Sequence, residues 1–389
     1  MKVLPILLLL AAATVLAGCQ TASDTYDRVF RGPGFRAGQK PAALVELQPK
    51  ATPKIIWQGS AGGAEKNVFY PEVSGSVVHA TGAAGRVSGF EARSGKVVAQ
   101  ADAGQRISGG VGAGAGLVFV GTPKGEVLAF DREGKQAWKS QLGGQVLAPP
   151  VAQDGTVVAR AGDGTIYGLD AANGKRKWIY RRATPTLSVR THAGVVLHRG
   201  GVFAGFPGGT LVALSLANGS VGWEAAVAIP RGTTELERVA DITSLPVVDG
   251  QQVCAAAFQG RVACFDLIRG TTLWSRDVSS LAGVSVETRY LYVTDDKNAV
   301  LALDKTSGAS IWRQDKLAGR GVSAPLGFGR YAVVGDFEGY VHLLAREDGS
   351  FAARIATDGS AIIAPPVALD LTSFLVQTRN GGVFAITVQ

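Results

Sequence analysis

Four aspartates, Asp131, Asp170, Asp266 and Asp304, recur at one position of a periodic phrase. Paired carboxylates can serve as general acid and base when they flank one scissile bond. The periodicity argues against that use. One acid per copy places the four on separate structural units, so turn capping is the expected role. The run Gly109 to Gly116 (GGVGAGAG) has the glycine content of a phosphate-cradling loop. It lacks the Lys-Ser/Thr that such a loop needs and no helical pattern follows it, so a turn between strands is expected there. His79, His192, His198 and His342 are isolated and have no metal-ligand spacing. Asp295-Asp296 lacks the further oxygen ligands of a calcium loop. Neither a G-x-S-x-G elbow nor a C-x-x-C-H haem site occurs. These residues predict no catalytic centre, no bound metal and no cofactor.

What would position any such residue is a repeat. All six tryptophans, Trp57, Trp138, Trp178, Trp223, Trp274 and Trp312, end a phrase of the form G-x-V-x-A-x-D-x-x-x-G-x-x-x-W. Its opening glycine falls at Gly85, Gly125, Gly164, Gly209, Gly260, Gly339 and Gly381, with Asn298 as the one replacement, at intervals of 38 to 51 residues. Dipeptides such as Asp163-Gly164 predict a tight hairpin turn with positive φ, and Asn is the best substitute for glycine in it. The run after each turn, for example Val127-Leu128-Ala129-Phe130, is apolar on both faces, as a strand buried on both sides requires. Four short strands per repeat of about 42 residues is the arithmetic of a β-propeller blade. The last copy stops at Val383-Phe384-Ala385-Ile386, before its tryptophan strand, whereas an orphan tryptophan strand, Ile55-Ile56-Trp57, precedes the first. The expected fold is therefore all-β: an eight-bladed propeller of four-stranded blades, closed by an N-terminal strand that completes the last blade and removes two open edges.

The ends divide the chain into residues 1–18, 19–53 and 54–389. Lys2, the apolar run Val3 to Leu16 and the small residues after it read as a secretory signal. It ends in Leu16-Ala17-Gly18-Cys19, a lipobox, which predicts acylation of Cys19 and a lasting anchor in the membrane. Gln20 rather than aspartate follows, so the expected address is the outer membrane, facing the periplasm. Residues 19–53 read as a polar tether with a reach of roughly 30 Å if flexible; a tether held against the propeller is the alternative. The net charge is +8, or +7 once the leader with Lys2 is removed. Dispersed Lys and Arg on an exported chain exclude a nucleic-acid surface and favour an acidic partner or anionic lipid.

Two further cysteines, Cys254 and Cys264, flank the Gln259-Gly260 turn. With a two-residue turn their side chains point to opposite sides of the sheet, and two buried free thiols are expected. A bulge in that hairpin would restore a disulfide.

The most informative departure from the rhythm lies after two tryptophans. From tryptophan to the next turn residue the chain takes 26 residues after Trp138, 24 after Trp274 and 27 after Trp312, but 31 after Trp178 and 37 after Trp223. Both insertions join an outer strand to the inner strand of the next blade, so they should emerge on one face, on neighbouring blades. Loops that outgrow a regular scaffold are where function concentrates. One carries Thr184-Pro185-Thr186-Leu187-Ser188-Val189-Arg190; the other runs from Ile229 through Glu235, Arg238 and Val239 to Asp241. Apolar anchors beside arginines and carboxylates suit a protein-binding patch.

The repeat, as in Ile166 to Trp178, resembles the tryptophan-docking repeats of pyrroloquinoline quinone enzymes, which are eight-bladed propellers. Those enzymes are longer, and many hold the cofactor with adjacent cysteines and acidic calcium ligands; adjacent cysteines are missing here. The lipobox, the tether, the eight repeats and the segments Leu187 to Arg190 and Thr234 to Asp241 together resemble the BamB family, the propeller lipoproteins of the outer-membrane β-barrel assembly machine. That resemblance implies a non-enzymatic scaffold that docks on the POTRA domains of BamA, with nascent outer-membrane proteins as a second class of partner. By position it implies Leu187, Val189 and Arg190 on one loop and Asp241 on the other, with Arg238 beside it. Val189 replaces a leucine of the family, and Thr243 stands where a second aspartate is usual. The competing class is a periplasmic quinoprotein-like enzyme or a ligand-binding propeller.

Overall fold

Each phrase supplies the third and fourth strands of a four-stranded antiparallel sheet, and eight such sheets follow one another along the chain. The computed structural model describes residues 40–389; the leader, Cys19 and the first part of the tether lie outside the described residues. The blades are numbered from the N-terminus. Blade 1 runs from its inner strand Glu72–Ser74 to its outer strand Val97–Asp102, blade 2 from Gly109–Gly114 to Gln136–Gln141, and blade 3 from Val151–Gln153 to Arg176–Tyr180. Blades 4 to 7 follow with outer strands Val221–Ala226, Thr272–Arg276, Ser310–Gln314 and Phe351–Ala356. Blade 8 is built from both ends of the chain: Pro53–Ser60 pairs antiparallel with Gly382–Val388, Trp57 facing Ala385. The ring is thus closed as the orphan strand predicts.

The third strands, such as Glu126–Phe130 and Val300–Asp304, are buried at four of five positions, which matches their two-sided apolar pattern. Between blades the tryptophans are the fasteners. Each indole Nε1 donates to a turn carbonyl of the following blade: Trp57 to Ala92, Trp138 to Ala171, Trp178 to Leu216, Trp223 to Leu267, Trp274 to Lys305 and Trp312 to Arg346, at 2.7–3.0 Å. The glycine of that turn lies flat against the ring; a Cβ at Gly174 would meet Trp138 at 2.5 Å. The recurring aspartates cap these same turns. Asp170 Oδ1 accepts from the Ala172 N–H at 2.9 Å, and Asp266 Oδ1 from the Arg269 N–H at 2.7 Å.

Two expectations are corrected. The Gly109 to Gly116 run is not chiefly a turn: Gly109–Gly114 is the inner strand of blade 2, and only Ala115 and Gly116 turn. Glycine is required because the next blade crowds it, and a Cβ at Gly112 would lie 1.7 Å from the Pro150 carbonyl oxygen. Second, Cys254 and Cys264 are disulfide-bonded rather than free. The hairpin between them does not have a two-residue turn. Ala256 pairs with Val262, the Ala257 N–H donates to Arg261 O, and Gln259 rather than Gly260 takes positive φ. This shifts the register by one, so the two cysteines stand directly opposite, with Cα atoms 4.0 Å apart. Replacing both with alanine should cost about 2–3 kcal/mol, the chain entropy of so short a loop. Urea unfolding without reductant measures that loss, and a thiol titration of the denatured protein lacking residues 1–19 should find no free thiol.

Candidate functional site

Connections from an outer strand to the next inner strand share a face with the turns between second and third strands. The Val146 N–H, for example, donates to Thr122 O at 3.1 Å. Both insertions, 181–195 between blades 3 and 4 and 227–246 between blades 4 and 5, therefore rise from this face, and the structure joins them. Asp241 is the joint. It is buried, 2% exposed, and its carboxylate accepts from the Val189 N–H at 2.6 Å and the Gly208 N–H at 3.0 Å. Thr191 Oγ1 donates to Thr243 O at 2.7 Å, and Thr243 Oγ1 to Leu281 O at 3.0 Å. Thr243 thus ties the loop by its hydroxyl.

With its backbone fixed in this way, the first loop presents Leu187 outward, 43% exposed. Val189 is half-buried and Arg190 exposed, its Nη2 3.3 Å from Gln145 Oε1. The second loop is ordered by a capping box, Thr234-Glu235-Leu236-Glu237. Glu237 Oε2 accepts from the Thr233 and Thr234 N–H groups at 2.8 and 3.1 Å, while the Glu237 N–H donates to Thr234 Oγ1 at 3.3 Å. Arg238 is exposed, and its Nε donates to Gly232 O at 3.0 Å. Ile229 and Leu236 of the same loop are each 68% exposed. Leu187, Arg190 and Arg238 are available to a partner; Asp241 is not, and its place is to hold Val189 and Gly208.

Arg190 also lines the mouth of the central channel, a cavity of about 730 Å³ that includes Lys66, His192, Pro246, Pro325 and Arg379. Burial, with Arg190 and Arg379 adding to it, pushes His192 down to about 4, so the charge at this mouth at neutral pH comes from the arginines and Lys66. Arg160 lies beneath the first loop, 5% exposed, its Nη1 3.4 Å from Ala193 O and its guanidinium 4.8 Å from the Phe206 ring centroid. Burial brings its pKa down to about 10.

A second polar cluster was not anticipated. In blade 7, Arg320 and Asp336 form a buried ion pair with Nε and Nη2 each 2.8 Å from Oδ2, and Arg320 also reaches Glu338. His342, fully buried, contacts Asp336 at 3.0 Å, and Arg354 Nε lies 3.3 Å from His342 Nδ1. Burial lowers the His342 pKa more than Asp336 can raise it. The ring is neutral, with Nδ1 accepting from Arg354 and the Nε2–H donating to Asp336. Burial opposes charge on Asp336, but the His342 contact and Arg320 together hold it below the usual carboxylate range. Both arginines then turn to the N-terminal segment: Arg320 Nη1 donates to Ala42 O at 3.0 Å and Arg354 Nη2 to Val45 O at 3.2 Å. The Lys50 N–H donates to Ala352 O at 2.7 Å and the Thr52 N–H to Gln389 O at 3.2 Å. Residues 42–52 therefore lie along blade 7, crossing from the face of the joined loops to the opposite face. The sequence signal was present: His342 occupies the slot of Leu128, Tyr167 and Val212 in other blades, six residues after a turn aspartate.

Eight closed blades with indole-to-turn fastening define an eight-bladed β-propeller. The crystal structure of quinohemoprotein alcohol dehydrogenase from Comamonas testosteroni is similar at a TM-score of 0.70, with 13% identity over 86% of this chain and 76% of that one, a likeness of fold alone. Greater similarity lies elsewhere. The family model described as outer membrane protein assembly factor BamB matches residues 83–314 and 298–389. The outer membrane protein assembly factor BamB of Nitrosomonas eutropha is 41% identical over 98% of this chain and 94% of its own. The crystal structure of BamB from Moraxella catarrhalis has a TM-score of 0.80 and 26% identity, covering 86% of this chain and all of that one. The chain belongs to the BamB family of outer membrane protein assembly factors.

Proposed function

We propose that this chain is a non-enzymatic scaffold of the outer-membrane β-barrel assembly machinery, which binds the POTRA domains of BamA through the joined loops and assists the delivery of outer-membrane proteins. Acylated at Cys19, it works from the periplasmic face of the outer membrane. The observation that carries the reading is the pair of loops locked together by Asp241, which holds Leu187 and Arg190 outward on the same face as Arg238. An arginine flanked by apolar side chains on a rigid base is the usual composition of a binding hot spot, and the cationic channel mouth suits an acidic partner surface. Asp241 acts by positioning, its carboxylate accepting from the Val189 and Gly208 N–H groups.

Arg190→Glu in the full lipoprotein should reduce co-purification of BamA from detergent-solubilised membranes at least tenfold. As a surface change it should leave unfolding within about 0.5 kcal/mol of wild type. Recovery of BamA at the wild-type level would overturn the site. The likeness to quinoprotein dehydrogenases gives a second class to exclude. Among the described residues no group of three His, Cys, Asp or Glu could hold a metal ion. A stable chromophore after incubation with calcium and pyrroloquinoline quinone would favour the enzymatic class.

A further inference from the structure

Six of the eight blade junctions carry an indole; the other two have alanine in its slot, Ala99 in blade 1 and Ala353 in blade 7. The two vacancies are treated differently. In blade 7 the residue opposite Ala353 is Leu343, fully buried, and Ala51 of the N-terminal segment packs into the same cluster. In blade 1 the residue opposite Ala99 is Gly89, so both members of the pair are small and neither side chain replaces the missing ring. The next blade responds only at its turn, which is one residue shorter from aspartate to glycine (Asp131 to Gly134, against Asp170 to Gly174). There Gly134 rests on the Gln100 backbone, where a Cβ would come within 2.0 Å of the carbonyl oxygen. Beside this contact a cleft of about 550 Å³ stays open between blades 1 and 2, lined by His79, Gly89, Ala99, Phe130, Asp131 and Gly134.

We propose that this cleft, on the face opposite the joined loops, receives an aromatic side chain from a polypeptide segment of another protein, with tryptophan the best fit. The chain itself shows what the slot accepts, since the six equivalent positions each hold an indole against a turn glycine. A glycine opposite the ring is also a pairing the fold already uses, in Gly168 against Trp178. The Arg132 carbonyl occupies the turn position from which Ala171 and Leu216 accept an indole N–H. Blade 7 shows that such a vacancy can be covered by an extended segment, there the chain's own residues near Ala51. A polypeptide rather than a free aromatic molecule is indicated by the length of the cleft. It runs from the inner turns at Ser74 and Gly116 to the outer strand at Val98, which is 52% exposed, and is larger than one ring. Asp131, Arg132 and Gln100 at its edge offer polar contacts for flanking peptide groups.

The test follows the methyl resonances of Val98, Ala99 and Ala101 in the protein spanning residues 20–389 during titration with N-acetyltryptophanamide and with the acetylated, amidated pentapeptide Gly-Gly-Trp-Gly-Gly. Saturable shifts are expected with both ligands, the pentapeptide binding at least threefold more tightly. Ala99→Trp, which supplies the ring covalently, should weaken both at least tenfold and raise Tm. Should that variant not fold, Gly89→Leu, which copies Leu343 of blade 7, should block binding in the same way. Arg190→Glu should leave the titration unchanged, so this inference and the BamA reading stand or fall separately. No saturable shift, wild-type binding in a folded Ala99→Trp or Gly89→Leu protein, or tighter binding of N-acetyltryptophanamide than of the pentapeptide would overturn it.

Discussion

A chain beginning at Ala61 should fail to fold into a soluble monomer. Removing Pro53–Ser60 strips Gly382–Val388 of its pairing along seven residues and takes away Trp57, whose indole bonds blade 8 to Ala92 of blade 1. Loss of a buried tryptophan alone costs about 3–5 kcal/mol. Here it is joined by an open edge strand and by exposure of the cluster formed by Trp57, Val78, Phe90 and Leu375. Blades are stabilised by their neighbours, so the opening is felt around the whole ring. Size-exclusion chromatography should show aggregate, and thermal melts should lose their cooperative transition. A monomer with a sharp transition would mean that closure is dispensable.

Asp336→Ala should be strongly destabilising. It leaves Arg320, 3% exposed at its side chain, with only the partly exposed Glu338 as a carboxylate partner, and removes the group that orients neutral His342. Breaking a buried pair from one side costs about 3–5 kcal/mol where the charge is left uncompensated; with Glu338 still in reach of Arg320 the lower end of that range is expected. Urea unfolding measures this. Asp336→Asn, which keeps part of the hydrogen bonding but not the charge, should fall between wild type and alanine. Arg320 and Arg354 also hold the Ala42 and Val45 carbonyls, so Asp336→Ala should speed tryptic cleavage after Lys50 under native conditions.

The architecture was legible because it is written in redundant signals. Gly85, Gly125 and the other turn residues recur with the alternating strands they separate, and Asn298, with φ 68°, obeys the same backbone rule as the glycines it replaces. The position of the joined loops was legible too, since a regular rhythm makes two long intervals conspicuous. What Asp241 does was not. Its depth depends on Val189 and Gly208, distant in sequence and brought to it by folding. The cysteines were misread for a similar reason: one residue of turn length, set by the Ala257 to Arg261 hydrogen bond, decides which side of a strand each faces. The Arg320 cluster gave only a weak trace, a histidine and an aspartate in a blade otherwise built like its neighbours. The cleft at Ala99 required knowing that Gly89, rather than a leucine, stands across from it.

The path of residues 42–52 bears on how the molecule carries force. Tension on the chain ahead of Lys40 enters on the joined-loop side, at Ala42, and must first strip the Arg320 and Arg354 contacts before it reaches Thr52 and the start of Pro53–Ser60. Without that attachment, the same pull would act directly at Pro53 and unzip the closing strand from Val388 one hydrogen-bonded pair at a time. The contacts made by the buried ion cluster of blade 7 thus stand between such a pull and the seam on which the ring depends.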